Sequence, residues 1–307
     1  MEVDFFKDLE TEIKEKLKGF GYPIPSFEEL RKQHISATEA HLSYKHYDIK
    51  NLILHFLTVT ERRIPIKKWN IHISPRLQNR PETANMVSML SHGVDVNPFL
   101  SKQVKARHQN KDNKTDLLRF EWEIHHIHFE EGGKGDDMLF VYFDGDDAYL
   151  LDILLHEKKE VGNVTWTNTS LIQILHDYWP QAISRAILQT GSKEILTQEE
   201  RRILRKKAGN TTVTVEDGTE YLPLGGSFTS SKHPARAIIG TDRLVDRVRV
   251  LEHWVLHNEQ VIRQALDLHD RDIDIKLVLD ENYMPQVFEV TKRALLNLIP
   301  NDEKTIA

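Results

Sequence analysis

Three histidines stand within four residues in the segment Ile124-His125-His126-Ile127-His128. Alternate side chains of an extended strand point to the same face, so His126 and His128 are predicted to lie side by side. Imidazole has an ordinary pKa of about 6.5, which suits both a general base and a general acid near neutral pH. Such a pair can cleave RNA without a metal, provided that a cation stabilises the charged phosphorane.

The same spacing permits two other interpretations. Histidines at i and i+2 can aim at one metal ion, and His156, at the end of a later predicted strand, could complete either a catalytic set or a three-histidine cage. Alternatively, the cluster is structural, with each ring hydrogen-bonded in the interior. We predict His126, His128 and His156 as catalytic residues, with no metal and no cofactor.

Positive charge is concentrated in one part of an acidic chain. The net charge is −6, but residues 61–114 contain eleven Lys and Arg against four acidic residues. Phosphate-rich partners are a common reason for such asymmetry, and a solvated surface is the alternative. We expect Arg62 to Lys114 to hold an RNA backbone, with Lys105 and Arg107 as contacts.

A second candidate for phosphate contact is the loop from Pro223 to Arg236. Gly225 and Gly226 would let the backbone approach a ligand, and Lys232 and Arg236 would supply charge. The loop lacks the Walker ending, and a surface loop is the alternative interpretation. The basic helix predicted at Arg201 to Lys207 is either an exposed face or a further nucleic-acid contact.

The elements that would position these residues predict an α+β fold. Apolar residues at four-residue spacing predict N-terminal helices, and a long helix beginning at Thr241 precedes a closing strand pair. Between them, a strand from Phe120 and strands at Met138 to Phe143 and Ala148 to His156 predict a central antiparallel meander flanked by helices. We divide the chain into a helical region 1–114 with the basic segment 61–114, a sheet core 115–190, and a C-terminal α+β region 191–307.

Several absences narrow the functional class. The chain has no cysteine, which excludes disulfides, thiol catalysis and Cys-ligated metals. Neither a nucleophile elbow nor a His-Glu-x-x-His zinc helix occurs. No apolar run reaches the roughly 18 residues that cross a bilayer, and the start lacks a secretory signal, so we expect a cytoplasmic protein.

Three blocks in the middle of the chain carry a family resemblance. They are Leu117-Leu118-x-x-x-Trp122-x-Ile124-His125-His126-Ile127-His128, Met138-Leu139-Phe140-Val141, and Ala148 to Ile153 with His156. This region, Thr115 to Trp179, resembles the RelE and barnase-like metal-independent ribonuclease toxins in strand order and in its histidine-bearing strand. The resemblance implies a sheet surface that cleaves RNA, with His126 and His128 as base and acid. The chain is about three times the size of such toxins, and no arginine matches a defined catalytic one.

We therefore expect a ribonuclease that works by histidine acid–base catalysis, as a toxin or phage-defence effector. The alternatives are a metal-dependent hydrolase or nuclease that uses the histidine cluster, and a non-catalytic nucleic-acid-binding or antitoxin-like protein. The expected partners are RNA, an inhibitor or antitoxin protein, and a second copy of the chain, with no membrane. The terminal regions would serve dimerisation or regulation.

Overall fold

A computed structural model describes residues 3–33, 48–101, 116–155, 168–188, 196–207, 209–230, 233–268 and 273–296. The chain forms two compact units, unit 1 with residues 1–57 and 238–307, and unit 2 with residues 58–237. The predicted α+β class is confirmed. The division differs from the three consecutive regions expected from the sequence, because the two ends of the chain pack together in unit 1.

The described secondary structure comprises helices and short to medium strands. The helices are α1 (Phe5–Gly19), α2 (Phe27–Gln33), α3 (Ile49–Arg62), α4 (Ala84–His92), α5 (Leu117–Trp122), α6 (Ser170–Tyr178), α7 (Pro180–Ile183), α8 (Gln198–Lys206), α9 (Ala235–His257) and α10 (Glu259–Ala265). The strands are β1 (Asn70–Ile73), β2 (Ile124–Glu130), β3 (Lys134–Asp144), β4 (Asp147–Leu155), β5 (Ile187–Leu188), β6 (Val213–Thr214), β7 (Glu220–Tyr221), β8 (Ile275–Leu279), β9 (Pro285–Glu289) and β10 (Ala294–Leu296). The unit boundaries fall inside α3 and α9.

Unit 1 packs the first helix against the last sheet. The apolar stripe of α1 is buried, as its four-residue spacing predicts, and α1 contacts β8 of the three-stranded sheet β10-β9-β8. The Asp8 carboxylate accepts the backbone N–H of Leu277 at 2.9 Å, and the Glu252 carboxylate of α9 accepts the N–H of Phe5 at 2.8 Å. Contacts far apart in sequence therefore make the two chain ends one unit.

Unit 2 is built on a four-stranded sheet of order β1-β4-β3-β2. The meander β2-β3-β4 is antiparallel, as predicted, and β1 adds a parallel strand beside β4. The turn at residues 144–147 joins β3 to β4, with Gly145 at φ 56°, a left-handed conformation that favours glycine. A smaller sheet of order β5-β7-β6 contains a second antiparallel pair, β6 with β7.

Both faces of the four-stranded sheet are covered. One face packs against α4 and neighbouring turns through Ile127, Leu139, Val141 and Leu150. The other face packs against α5, α6, α7 and the smaller sheet through a separate cluster that includes Phe140. Because a strand alternates its side chains, β2 must supply interior residues to both layers, and most of its residues are buried.

The structure corrects the predicted start of the histidine-bearing strand. Alternation predicted a strand from Phe120, but residues 117–122 form the helix α5. Asp116 caps that helix by accepting the N–H of Arg119 at 3.1 Å, and Glu123 ends it at φ 58°. The long C-terminal helix likewise begins at Ala235 rather than after Thr241.

Candidate active site

The site begins at the junction of α5 and β2. The left-handed backbone at Glu123 turns the chain from the helix into the strand, so that Asp116 and the first residues of β2 lie close together. The loop from Pro223 to Arg236 packs against this junction, where the Gly225 N–H donates to the Glu121 carbonyl at 2.9 Å. A Cβ on Gly225 would lie 2.2 Å from the carbonyl oxygen of Phe120. This glycine therefore serves close packing against α5.

The sequence prediction that His126 and His128 share one face of β2 is confirmed by the strand register. His126 lies opposite Phe140 and His128 opposite Met138, and both partners belong to the core layer on the α5 and α6 side. The two ring centroids are 5.9 Å apart with planes at 71°. We refer to His126 and His128 as the imidazole pair.

The imidazole pair is almost fully buried. His126 is 8% exposed and His128 is 2% exposed, because the sheet face that carries them is covered by other elements of unit 2. A reactive group at a cleft rim would ordinarily show more surface. The pair is therefore buried within unit 2, although β2 is an edge strand of the four-stranded sheet.

A carboxylate orients one member of the imidazole pair. The Nδ1 atom of His126 lies 3.2 Å from Oδ2 of Asp116. Burial alone would raise the pKa of the Asp116 carboxyl, but the charge and hydrogen bond of His126 and the charge of Arg62 hold that pKa well below its usual range. Asp116 therefore stays ionised and favours a proton on Nδ1, which directs Nε2 to any proton exchange with a substrate.

Two arginines lie close to Asp116. The Arg62 guanidinium is 5.3 Å from the centroid of the Phe120 ring, and its positive charge acts on Asp116. Arg119 follows Asp116 by one helical turn, and its Nη2 atom lies 3.8 Å from a carboxylate oxygen of Glu61. The site thus combines one imidazole oriented by a carboxylate with positive charge that acts on the same carboxylate.

The third histidine of the cluster points to the opposite face of β2. His125 packs edge-on against Phe143, with ring centroids 5.3 Å apart. Burial lowers the pKa of His125 well below 6.5, and the positive charge of Arg119 acts in the same direction. His125 is therefore a neutral core residue, separated from the imidazole pair by the sheet.

The remaining predicted site residues are only partly within the described chain. Arg236 is within the described residues. Its guanidinium forms an ion pair with the Glu123 carboxylate and donates a hydrogen bond to the Leu224 carbonyl. These contacts join the C-terminal end of the loop from Pro223 to Arg236 to the α5–β2 junction. Glu123 also binds Arg185 at 2.7 Å. The other predicted residues, His156, Lys105, Arg107 and Lys232, lie outside the described residues.

On the same sheet face as the imidazole pair, Asp152 lies across β3 from His126, since both are register partners of Phe140. Arg76 donates to its carboxylate at 3.2 Å. Within the described ranges no three metal-ligating side chains of the His, Cys, Asp and Glu types gather at one point. The chemistry that these residues support is proton transfer by imidazole.

The structure also reveals buried charges that sequence reasoning missed. Arg201 and Arg205 of α8, expected on an exposed face or at a nucleic-acid contact, are largely buried, and Arg205 pairs with the buried carboxylate of Glu121. Their spacing of four residues places them on one helix face, but nothing in the sequence marks that face as internal. The pairing of Asp116 with His126 likewise has no sequence signal, because it depends on the turn at Glu123.

Comparison with protein-family models, curated proteins and solved structures finds no match to this chain. Among the helices that the structure describes, none has the length and apolar character needed to span a bilayer.

Proposed function

We propose that this protein is a cytoplasmic ribonuclease that cleaves RNA by acid–base catalysis at the imidazole pair. The observation that carries the proposal is the contact of His126 Nδ1 with the Asp116 carboxylate, with the His128 ring 5.9 Å away on the same sheet face. A carboxylate on Nδ1 stabilises the imidazolium that forms when Nε2 accepts a proton. His126 is therefore assigned as the base and His128 as the acid.

In the proposed reaction, the RNA 2′-hydroxyl attacks the adjacent phosphorus while His126 accepts its proton. The bond from phosphorus to the 5′-oxygen breaks, and His128 donates a proton to that oxygen. The products are a 2′,3′-cyclic phosphate and a 5′-hydroxyl end. Positive charge from Arg62, which acts on Asp116, would stabilise the phosphorane, because fixed charges act strongly where water is excluded.

The burial of the imidazole pair sets a requirement for this reaction. With 8% and 2% of their surfaces exposed, the rings must become accessible when RNA binds. The proposal therefore predicts that RNA changes the reactivity of His126 and His128 toward a histidine-modifying reagent such as diethyl pyrocarbonate. An exposed histidine of α4, His92, is the internal reference for reagent activity.

The same burial supports a second candidate, a protein that binds nucleic acid without cleaving it. In that case His126 and Asp116 would be a structural pair that fixes the α5–β2 junction. Binding would weaken steeply with salt because phosphate contacts release counterions, and no product would form. Turnover separates the two candidates.

The test is incubation of total RNA with the purified protein in excess EDTA. We compare the wild type with the double variant His126→Asn/His128→Asn, with Asp116→Asn, and with His92→Asn as a surface control. Loss of general acid–base catalysis lowers rates by roughly 10²–10⁴-fold, so cleavage should disappear in the double variant and fall strongly in Asp116→Asn.

Circular dichroism and thermal unfolding of each variant establish that it is folded before its rate is interpreted. Full cleavage by a folded double variant would overturn the assignment of the imidazole pair. Cleavage only without EDTA would favour a metal-dependent hydrolase. Salt-sensitive binding with no turnover by the wild type would favour the second candidate.

A further inference from the structure

A small, partly enclosed cavity lies within unit 2, between α5, α6 and α8. Its lining combines apolar side chains, including Trp122 and Ile124, with polar ones. The polar lining comprises Arg201, Arg205, Glu121, Thr211, Asn168 and Thr169. A cavity of this size with convergent charged and polar groups can hold at most a small polar ligand.

The arginines of the cavity are held in place from two directions. They stand at i and i+4 of α8, a helix fixed at its start by a capping box in which Thr197 and Glu200 exchange hydrogen bonds. Arg201 is 7% exposed and donates through Nη1 to the Thr211 hydroxyl at 3.0 Å. Arg205 pairs with Glu121 through Nη2.

Hydrogen-bonding capacity remains at both guanidinium groups. The buried Nε of Arg201 and the buried Nη1 of Arg205 find no acceptor in the part of the chain that the structure describes. Burying an N–H donor of a charged group without an acceptor costs free energy, so binding of an acceptor from outside the chain would be favoured. Nε and an Nη atom of arginine are the donors that bind oxyanions in a fork.

The charges in the cavity also favour a bound anion. Among the described lining residues, two guanidinium groups face one carboxylate, which leaves one buried positive charge in excess. Burial lowers the pKa of Arg201, the Glu121 carboxylate opposes that shift in part, and the nearby charge of Arg205 adds to it. An anion between the two guanidinium groups would relieve both effects.

We propose that this cavity is a binding site for a phosphate group, held by Arg201 and Arg205 and positioned by Thr211. The site is separate from the imidazole pair and does not depend on ribonuclease activity. Arginine suits this ligand because its planar fork matches two phosphate oxygens. Because the cavity is small, inorganic phosphate is the ligand of matching size, and a larger phosphomonoester serves as the comparison.

Isothermal titration calorimetry of the full chain tests the site with inorganic phosphate and with adenosine 5′-monophosphate. Sodium chloride at equal ionic strength serves as the baseline, so that general screening is subtracted. Inorganic phosphate should bind more tightly than adenosine 5′-monophosphate, because the nucleoside exceeds the space in the cavity; tighter binding of the nucleotide would argue against this cavity as the site. Binding of inorganic phosphate alone would show that the site takes the free ion.

Three variants assign any binding to the cavity. Arg201→Gln and Arg205→Gln should each weaken binding about tenfold or more, as expected for loss of a charged hydrogen bond. Arg202→Gln is the matched control, because Arg202 lies on the same helix and pairs with Glu199 near the surface. It should leave affinity unchanged.

Glu121→Gln gives a test in the opposite direction. Removing the carboxylate that competes for Arg205 should tighten phosphate binding about threefold or more. If an arginine variant fails to fold, the phosphate affinity of Glu121→Gln tests the site instead. The proposal is overturned if the wild type binds no phosphate beyond the chloride baseline, if Arg202→Gln loses as much affinity as Arg201→Gln, or if Glu121→Gln weakens binding.

Discussion

Replacement of His125 by glutamine should change how the stability of the protein depends on pH. His125 lies in the core layer beside Phe143, and burial lowers its pKa well below 6.5. In the unfolded chain the same imidazole takes up a proton below about pH 6.5. The unfolded state therefore binds more protons than the folded state on acidification, and folding stability must fall.

The magnitude follows from the proton difference. One extra proton on the unfolded state costs about 1.4 kcal/mol for each pH unit below the unfolded pKa. If the folded imidazole stays neutral, the loss between pH 7.5 and pH 5.0 is about 2 kcal/mol from His125 alone. The loss fades above pH 6.5 and is negligible at pH 7.5, where the imidazole is almost entirely neutral in both states.

Urea unfolding at pH 7.5, 6.5 and 5.0 measures this contribution for the wild type, His125→Gln and a surface control, His92→Gln. The glutamine variant is expected to be less stable at pH 7.5 but to lose about 2 kcal/mol less on acidification than the wild type. Parallel stability curves for His125→Gln and the wild type would refute the assignment of His125 as a buried neutral imidazole. The His92→Gln curve should follow the wild type.

Two further substitutions test the elements that frame the sites. Gly225→Ala places a methyl group 2.2 Å from the Phe120 carbonyl oxygen, so urea unfolding should show a loss of about 1–3 kcal/mol or more, whereas Gly19→Ala, with open space around it, should show no such loss. Equal stability of the two variants would contradict the close packing of the loop. Thr197→Ala removes the N-cap of α8 and should lower the free energy of unfolding by about 1 kcal/mol. Thr197→Ser keeps the hydroxyl and should lower it much less. Equal losses in the two variants would argue against the capping box.

Local patterns in the sequence were sufficient to predict much of the fold. The strands read from the sequence predicted the antiparallel meander, and apolar residues at four-residue spacing predicted the buried stripe of α1. These features depend on neighbours in sequence, which is why pattern reasoning found them. The pairing of His126 with His128 on one face is of the same kind.

Features that depend on distant contacts were not predictable in this way. The union of the two chain ends in unit 1 rests on contacts such as Leu277 with Asp8, which leave no local pattern. The strand predicted from Phe120 failed because a helix cap at Asp116 and a left-handed residue at Glu123 outweigh a short alternation.

The candidate site shows the same limit. The sequence identified the imidazole pair but neither its orienting carboxylate nor its burial, because both follow from the packing of α5 and other elements against the sheet. The buried arginines of α8 were expected on an exposed face for a similar reason. Charge predicts exposure on average, and Glu121 together with Thr211 overrides that tendency here.

Analysis of RNA end groups is the most direct test of the proposed chemistry. If His126 and His128 transfer protons to and from the scissile phosphate, the wild type in excess EDTA must produce 2′,3′-cyclic phosphate and 5′-hydroxyl ends, and the folded double variant must produce none. Intact RNA after prolonged incubation with the wild type, or fragments that carry 5′-phosphate ends, would contradict the mechanism.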